Sequence, residues 1–345
     1  MRLGIIARSD NTGLGNQTRE LVNMLNPDKI LLINSQFFNN NDQHPEWYEG
    51  YNFYSTRRGM PTTKEIMWFL KDVDVVISCE TFYHLDLVDL ARQQGTKTIL
   101  QYNYELFGNL TNPDWSLPDV LLSPSIWNIE IVKEKFGSKC EVIHLPPPTD
   151  ESLFNRAKEN NLSKDHNRIL HIGGKRAAKD RNGTDSIFEM IKYSKEDYEL
   201  VIKSQTPFHT TCKDSRIKIE VSNPANREDM YDGFDAMILP RRYAGLCLPM
   251  NEALLSALPV FMTNVSPNNA VLPEEWLTES TKIGSFKTKS MVNIYEIAPD
   301  KFANVIDGYI KNNNKREIKE KALSIGLENF SIDNLKQKYL DIINK

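Results

Sequence analysis

The stretch Leu239-Pro-Arg-Arg-Tyr-Ala-Gly-Leu-Cys-Leu-Pro-Met-Asn-Glu-Ala-Leu-Leu-Ser-Ala-Leu-Pro-Val260 decides how the rest of the chain is read. It starts at the end of an apolar run, Phe234 to Leu239, with the character of a buried strand. Arg241 and Arg242 follow, then Tyr243, Ala244 and Gly245. Pro249 suits the first position of a helix, where its missing N–H costs nothing. Glu252 is then expected in the first turn, Ala253 to Ala257 continue the helix, and Pro259-Val260 opens the next strand. A strand, a glycine loop and a helix N-terminus make an anion site, because unpaired backbone N–H groups and the helix dipole both favour phosphate. The arginines add formal charge, and a carboxylate in the first turn accepts hydrogen bonds from sugar hydroxyls. The same residues also fit an ordinary strand–loop–helix turn with solvated arginines.

A second basic loop stands upstream. The apolar run Asn167 to Ile172 leads into Gly173-Gly174-Lys175-Arg176-Ala-Ala-Lys179-Asp-Arg181-Asn-Gly183-Thr184, and a helical pattern follows through Ile187, Met190 and Ile191. Four basic residues within seven positions, after an apolar strand and a glycine pair, suit an anion, although a solvated loop would look the same. Near the start of the chain, Leu3 to Ala7 reads as a buried parallel strand. Arg8 to Gly15, with Gly13 and Gly15, forms a loop into a helix that places Leu21, Met24 and Leu25 on one face. This is not the dinucleotide fingerprint, since the third glycine is missing.

The central stretch resembles the donor-site signature P-S-R-x-E-G-x-G-L-P-x-x-E-A of retaining GT-B glycosyltransferases, the glycogen-synthase and mannosyltransferase-like family. Pro240, Arg242, Gly245, Leu248, Pro249, Glu252 and Ala253 are in step with it. The variant R-R-Y-x-G-x-x-L-P-x-x-E-A looks like that of phage-encoded members. Ala244 stands where the family has the glutamate associated with the transferred sugar, and Cys247 replaces its second glycine. The resemblance implies an α/β GT-B fold of two Rossmann-like domains with parallel sheets facing a central cleft. It implies transfer of a sugar from a nucleoside diphosphate sugar, expected to be a UDP-sugar, with retention, no metal and no cofactor. Arg176, Arg181 and Arg242 would hold the diphosphate, with Lys175, Gly245 and Leu248 beside them and Glu252 on the ribose. Gly13 and Gly15 resemble the family's glycine loop, and the amides near Gly15 and Leu248 would assist the leaving group. The missing glutamate at 244 hints at an unusual donor sugar, such as a pentose.

Length and composition agree with this organisation. The chain has 345 residues, enough for two domains with their own cores. Hydrophobic residues make up 40% and charged residues 26%, a globular rather than disordered balance. A net charge of -4 excludes a broadly basic nucleic-acid binder. Cys79, Cys140, Cys212 and Cys247 show no C-x-x-C spacing, so neither zinc nor a disulfide framework is expected. No leader or membrane span is legible, and a cytoplasmic protein is expected. Pro146-Pro-Pro148 marks the boundary, because three prolines make a stiff extended connector. The expected domains are 1–146, joined by a C-terminal helix over 331–345, and 147–330.

The acceptor is less legible. Residues 35–60 are polar and aromatic and carry Arg57-Arg58, a pair able to grip phosphate beside rings able to stack a base. Glu80 and His84 follow an apolar strand at its carboxyl end, where open α/β sheets place ligands. Asn103 and Glu105 stand where many family members have a sugar-contacting histidine, which makes Glu105 a catalytic candidate and Arg57, Arg58 and His84 acceptor-side candidates. Asp72-Val-Asp74 lies before its strand, at the wrong end for a metal site of the cleft. A hydroxymethylated base of phage DNA is the expected acceptor, with a virion protein or a surface glycan as alternatives. A nucleotide-sugar epimerase and a binding module with a dead donor site stay open as other classes.

Overall fold

A computed structural model describes residues 1–35, 43–112, 114–175, 180–243 and 245–345. The chain divides into two compact units, one made of Met1–Thr149, Thr288–Ser290 and Ile332–Lys345, the other of Asp150–Lys287 and Met291–Ser331.

The first unit runs β1 (Leu3–Arg8), α1 (Gly13–Leu25), β2 (Lys29–Ile33), β3 (Phe53–Ser55), α2 (Thr63–Leu70), β4 (Val75–Cys79), α3 (Leu87–Gln93), β5 (Lys97–Gln101), β6 (Val120–Ser123), α4 (Ile129–Phe136) and β7 (Glu141–His144). Its seven strands pair in the order β3-β2-β1-β4-β5-β6-β7, all parallel. Parallel strands are covered on both faces, so their side chains feed two cores alternately. Ile5, Leu32, Ile77 and Ile99 face one core, whereas Ile6, Leu31, Val76 and Leu100 face the other. Thr12 caps α1 through its hydroxyl, and Thr62 with Glu65 forms a capping box at α2.

The second unit continues with α5 (Asn155–Ser163), β8 (Arg168–Gly174), α6 (Thr184–Met190), β9 (Glu199–Ser204), β10 (Ile217–Val221), β11 (Ala236–Leu239), α7 (Leu248–Leu255), β12 (Val260–Thr263), β13 (Leu277–Thr278), β14 (Ser280–Lys287), β15 (Met291–Ile297), α8 (Pro299–Ile310) and α9 (Lys315–Phe330). Six strands form a parallel sheet in the order β10-β9-β8-β11-β12-β13, and β14 and β15 make a separate antiparallel hairpin. Helix α10 (Ile332–Asn344) belongs to the first unit, where Leu335, Tyr339 and Ile343 join the core beside Leu21 and Leu25.

The sequence expects α4 to start near Ser125, but it starts at Ile129. Residues 124–128 instead form a bent approach ending in Asn128 at φ 56°, which cannot be the first helical turn. Among the described residues no helix is long and apolar enough to cross a membrane. Cys79, Cys140 and Cys247 are buried free thiols, and Cys212 is half-buried and free.

Candidate functional site

In the second unit the chain steps outward from β8 through β9 and β10, then returns to the other side of β8 with β11. The carboxyl ends of β8 and β11 are therefore a topological switch point, where loops leave in opposite directions and open a crevice. Both basic loops of the sequence lie there. Residues 176–179 and 244 fall outside the described residues, and with them Arg176 and Ala244.

The two loops are joined. The backbone N–H of Arg242 donates to the carbonyl of Arg181 at 2.9 Å. Gly183 has φ +74°, and a Cβ there would stand 2.2 Å from the carbonyl oxygen of Pro240, so only glycine lets the loops meet. Asn182 donates through Nδ2 to the carbonyl of Ile172 at 3.0 Å, and Asp180 accepts the N–H of Asp185 at 2.7 Å. Below them the buried His171 bridges the carbonyl of Ile238 at 2.9 Å and the hydroxyl of Thr184 at 3.0 Å, tying β8 to β11 and α6.

Lys175 and Arg181 are exposed, Arg242 and Leu248 are half-buried, and Gly245 is buried. Helix α7 starts at Leu248, with Cys247 as an N-cap that makes no side-chain capping bond. Arg241 is the most deeply buried of the described cations at the site, although the Nε of Arg242 is likewise buried and makes no hydrogen bond. The Arg241 side chain is only 5% exposed, its Nε has no hydrogen-bond partner, and no carboxylate among the described residues pairs with it. None of residues 176–179 and 244 is acidic. Burying a guanidinium without a counter-charge costs several kcal/mol in a real protein interior. On α7, Asn251 is likewise buried, with Nδ2 unpartnered. The sequence offers two adjacent arginines and favours Arg242 through the motif; burial distinguishes Arg241.

Glu252 departs from its expected place. Because α7 begins one residue before Pro249, Glu252 is its fifth residue and sits in the second turn. Its carboxylate is engaged by Arg227, through Nη2, and by Tyr231, whose hydroxyl donates at 2.6 Å. Burial, then the Glu252 charge, pushes the Tyr231 phenol well above its ordinary range. Arg227 also lies over the Phe154 ring at 5.5 Å. These partners stand 25 and 21 residues upstream and leave no local pattern around Glu252.

The first unit repeats the topology, with its switch point between β1 and β4. Here the cation is matched. Arg8 Nε donates to Asp10 Oδ2 at 2.7 Å, and the fully buried Asp10 also accepts from the hydroxyls of Thr12 and Ser35. Gly13 opens α1 and is exposed. Gly15 is required by packing, since a Cβ would lie 1.8 Å from the Asp10 carbonyl oxygen, and its N–H donates to the Thr12 hydroxyl at 3.3 Å. Glu80 follows β4 directly at φ 64°, a strained conformation for this residue type, and accepts Asn103 Nδ2 at 2.8 Å. Burial raises its carboxyl above the ordinary value, against the pull of Asn103 and Arg8, and the charges of Glu105 and Asp10 add to the rise. Glu105 is half-buried in a 3-10 helix over Tyr104–Thr111.

His84 Nδ1 accepts the N–H of Asp86 at 3.2 Å, and Nε2 lies 3.4 Å from the Thr63 hydroxyl, so the ring stabilises its own turn. Arg57 and Arg58 follow β3 at its carboxyl end, exposed and without an ion pair among the described residues. Phe37 and Phe38 lie outside the described residues. The described aromatics nearby are packed inward rather than offered for stacking. Trp47 lies against His44 at 4.9 Å and under Arg19 at 4.6 Å, Tyr48 is fully buried, and Tyr54 packs on Trp68 at 5.3 Å. Asp72 and Asp74 lie before β4, where the N–H of Arg2 donates to Asp74 at 2.6 Å, at the amino ends of the central strands and away from the switch point.

No family model and no curated protein matches the sequence. Solved structures match over its whole length. Sucrose-phosphate synthase from Thermosynechococcus elongatus is similar with a TM-score of 0.68 at 10% identity, covering 100% of this chain and 98% of that one. HepE of Anabaena in complex with UDP gives 0.67 at 9% identity, with 100% of both chains covered, and HepE was also solved with UDP-glucose. WaaB, a lipopolysaccharide outer core galactosyltransferase, gives 0.65 at 12% identity, with 99% of both chains covered. The chain has the α/β fold of these GT-B structures, built on two parallel sheets.

Proposed function

We propose that this protein is a glycosyltransferase moving a sugar from a nucleoside diphosphate sugar to an acceptor hydroxyl. The observation that carries the reading is Arg241, a buried cation with an unsatisfied Nε and no counter-charge among the described residues, at the switch point between two basic loops. Such a group calls for an anion, and a diphosphate supplies two charges at that spot. The fold shared with HepE, solved with UDP and UDP-glucose, supports the same donor class. In this reading Arg181, Arg242, Lys175 and the amides at Leu248 and Gly245 hold the diphosphate. Glu252 retains acceptor capacity for a ribose hydroxyl beyond its bonds to Arg227 and Tyr231.

In the reaction the acceptor oxygen bonds to the anomeric carbon, and the bond from that carbon to the diphosphate breaks. In the retaining course proposed, the acceptor proton passes to the departing phosphate oxygen on the same face, and the fixed cations stabilise the charge that develops there. The donor needs no metal in this reading, since arginines carry the charge compensation. The acceptor the residues favour is an uncharged hydroxyl compound, a glycan or a protein side chain. The packed aromatics leave Arg57-Arg58 alone to support a DNA acceptor.

The test is nucleoside diphosphate release from a panel of nucleotide sugars, with and without glycans, candidate proteins and hydroxymethylcytosine DNA. Release that an uncharged acceptor accelerates supports the proposal. Acceleration by DNA with a steep salt dependence reverses the acceptor reading. Absence of both release and thermal stabilisation by any donor removes the proposal altogether.

A further inference from the structure

The β14–β15 hairpin has no place in the reading so far. Its strands pair from Ser280 with Ile297 to Lys287 with Met291, with a register shift between Lys282 and Gly284. A two-stranded hairpin is marginal by itself and needs a surface to lie on. Val292, Ile294 and Ile297 are turned inward at 0%, 8% and 3% exposure, whereas Ile283 and Met291 on the outside are half exposed or more. Part of what it covers is the loop after β11. The N–H of Tyr295 donates to the carbonyl of Arg242 at 3.0 Å. The Phe286 ring meets Tyr243 edge-on, with centroids 5.0 Å apart and planes at 74°.

The loop is therefore held twice at neighbouring residues. Arg242 is gripped from one side through its own N–H by Arg181, and from the other through its carbonyl by Tyr295. Tyr243 is fixed by Phe286. Arg241 stands immediately before these anchors, on a chain turned sharply by its own N–H bonding back to the Leu239 carbonyl at 2.6 Å. A loop exposes its backbone groups and moves unless such bonds hold it.

We infer that the β14–β15 hairpin is a positioning element for the anion site, with the Tyr295 N–H and the Phe286 ring fixing where the guanidiniums of Arg241 and Arg242 stand. The inference rests on the donor reading above, and its test separates the two. UDP affinity is measured by calorimetry, and hydrogen exchange of residues 240–247 is followed in the ligand-free chain. Phe286→Ala is expected to weaken UDP binding about five- to tenfold, the scale of one lost aromatic pair transmitted to the site. It should also speed exchange at 240–247. Phe286→Tyr, which keeps the ring, should restore both, and Ile283→Ser on the outer face of the same hairpin should change neither. Phe286→Ala with wild-type UDP affinity and unchanged exchange overturns the inference, whatever happens to the melting temperature. A wild-type chain that binds no nucleoside diphosphate overturns the donor reading, and the exchange arm then decides alone whether the hairpin fixes this loop.

Discussion

Strand β11 has a buried cation at each end, and the two are built differently. At the amino end Lys319 of α9 meets Asp235 at 2.8 Å, with side chains 2% and 0% exposed. Lys319 also donates to the carbonyl of Asn161 at 2.8 Å, and Asp235 accepts the N–H groups of His166 and Arg168. Burial pushes the Asp235 carboxyl up, but Lys319 and these amides outweigh it and hold it below its ordinary value. At the carboxyl end Arg241 is almost as buried, with Nε unsatisfied and no acid among the described residues to meet it. A buried charge that the protein answers itself is scaffold. One that it leaves unanswered is a receptor for charge brought from outside, and ligands of α/β sheets arrive at carboxyl ends.

The largest effect belongs to the answered end. Lys319→Met strands Asp235 in the core and should cost about 3–5 kcal/mol of stability in denaturant unfolding. Adding Asp235→Asn should recover much of it. A loss below about 1 kcal/mol would mean the pair is not the buried network described. The unanswered end should respond with the opposite sign. Arg241→Met removes an uncompensated charge, so the free protein should melt at the same temperature or higher. UDP binding should meanwhile weaken about 100-fold, near 2.7 kcal/mol. If Arg241→Met destabilises the free chain as Lys319→Met does, the contrast collapses.

Gly183→Ala sharpens the comparison by disturbing the carboxyl end alone. The added methyl meets the Pro240 carbonyl, and the expected cost is about 1–3 kcal/mol with weakened UDP binding. Unchanged affinity would show that Arg241 does not depend on how the loops meet. The smallest effect is on the pH profile. Asp235 is depressed, so its contribution is complete above its unfolded value of 3.8 and is lost as pH falls through the lower folded value. The acid limb of the stability curve should run parallel in Arg241→Met and wild type. It should flatten in Lys319→Met, which has lost that contribution at every pH.

Most of the scaffold was legible because parallel strands are short apolar runs. Val120–Ser123, Glu199–Ser204 and Ile217–Val221 stand where their β-branched and aliphatic residues place them. The hairpin was not read, although Val292 and Ile294 alternate with polar neighbours, because its inward face is short and its tip is strongly basic. The loops of the site were legible as glycine and arginine clusters, but their wiring was not. Which arginine is buried depends on a turn at Leu239–Arg241 that adjacent identical residues cannot signal. The partners of Glu252 come from Arg227 and Tyr231, and those of Glu80 from another strand end, so only the folded chain brings them together. The acceptor-side candidates are the least legible part, since Arg57 and Arg58, Glu80 and His84, and Glu105 come from loops after three different strands, β3, β4 and β5.

Helix α10 has a consequence for how the protein is made. Tyr339 sits in the first unit's core, donating to the carbonyl of Pro146 at 3.0 Å and receiving Gln101 Nε2 at 3.0 Å, while Lys97 reaches the carbonyl of Ile342 at 2.6 Å. During synthesis, the first unit's sheet therefore waits with part of one face, the part that α1 does not cover, open until nearly two hundred further residues have been added. The second unit, contiguous but for a three-residue gap, is able to close before the first is complete. Fragments ending at Thr149 should consequently be sticky intermediates rather than stable domains, and the order of maturation should run against the order of translation.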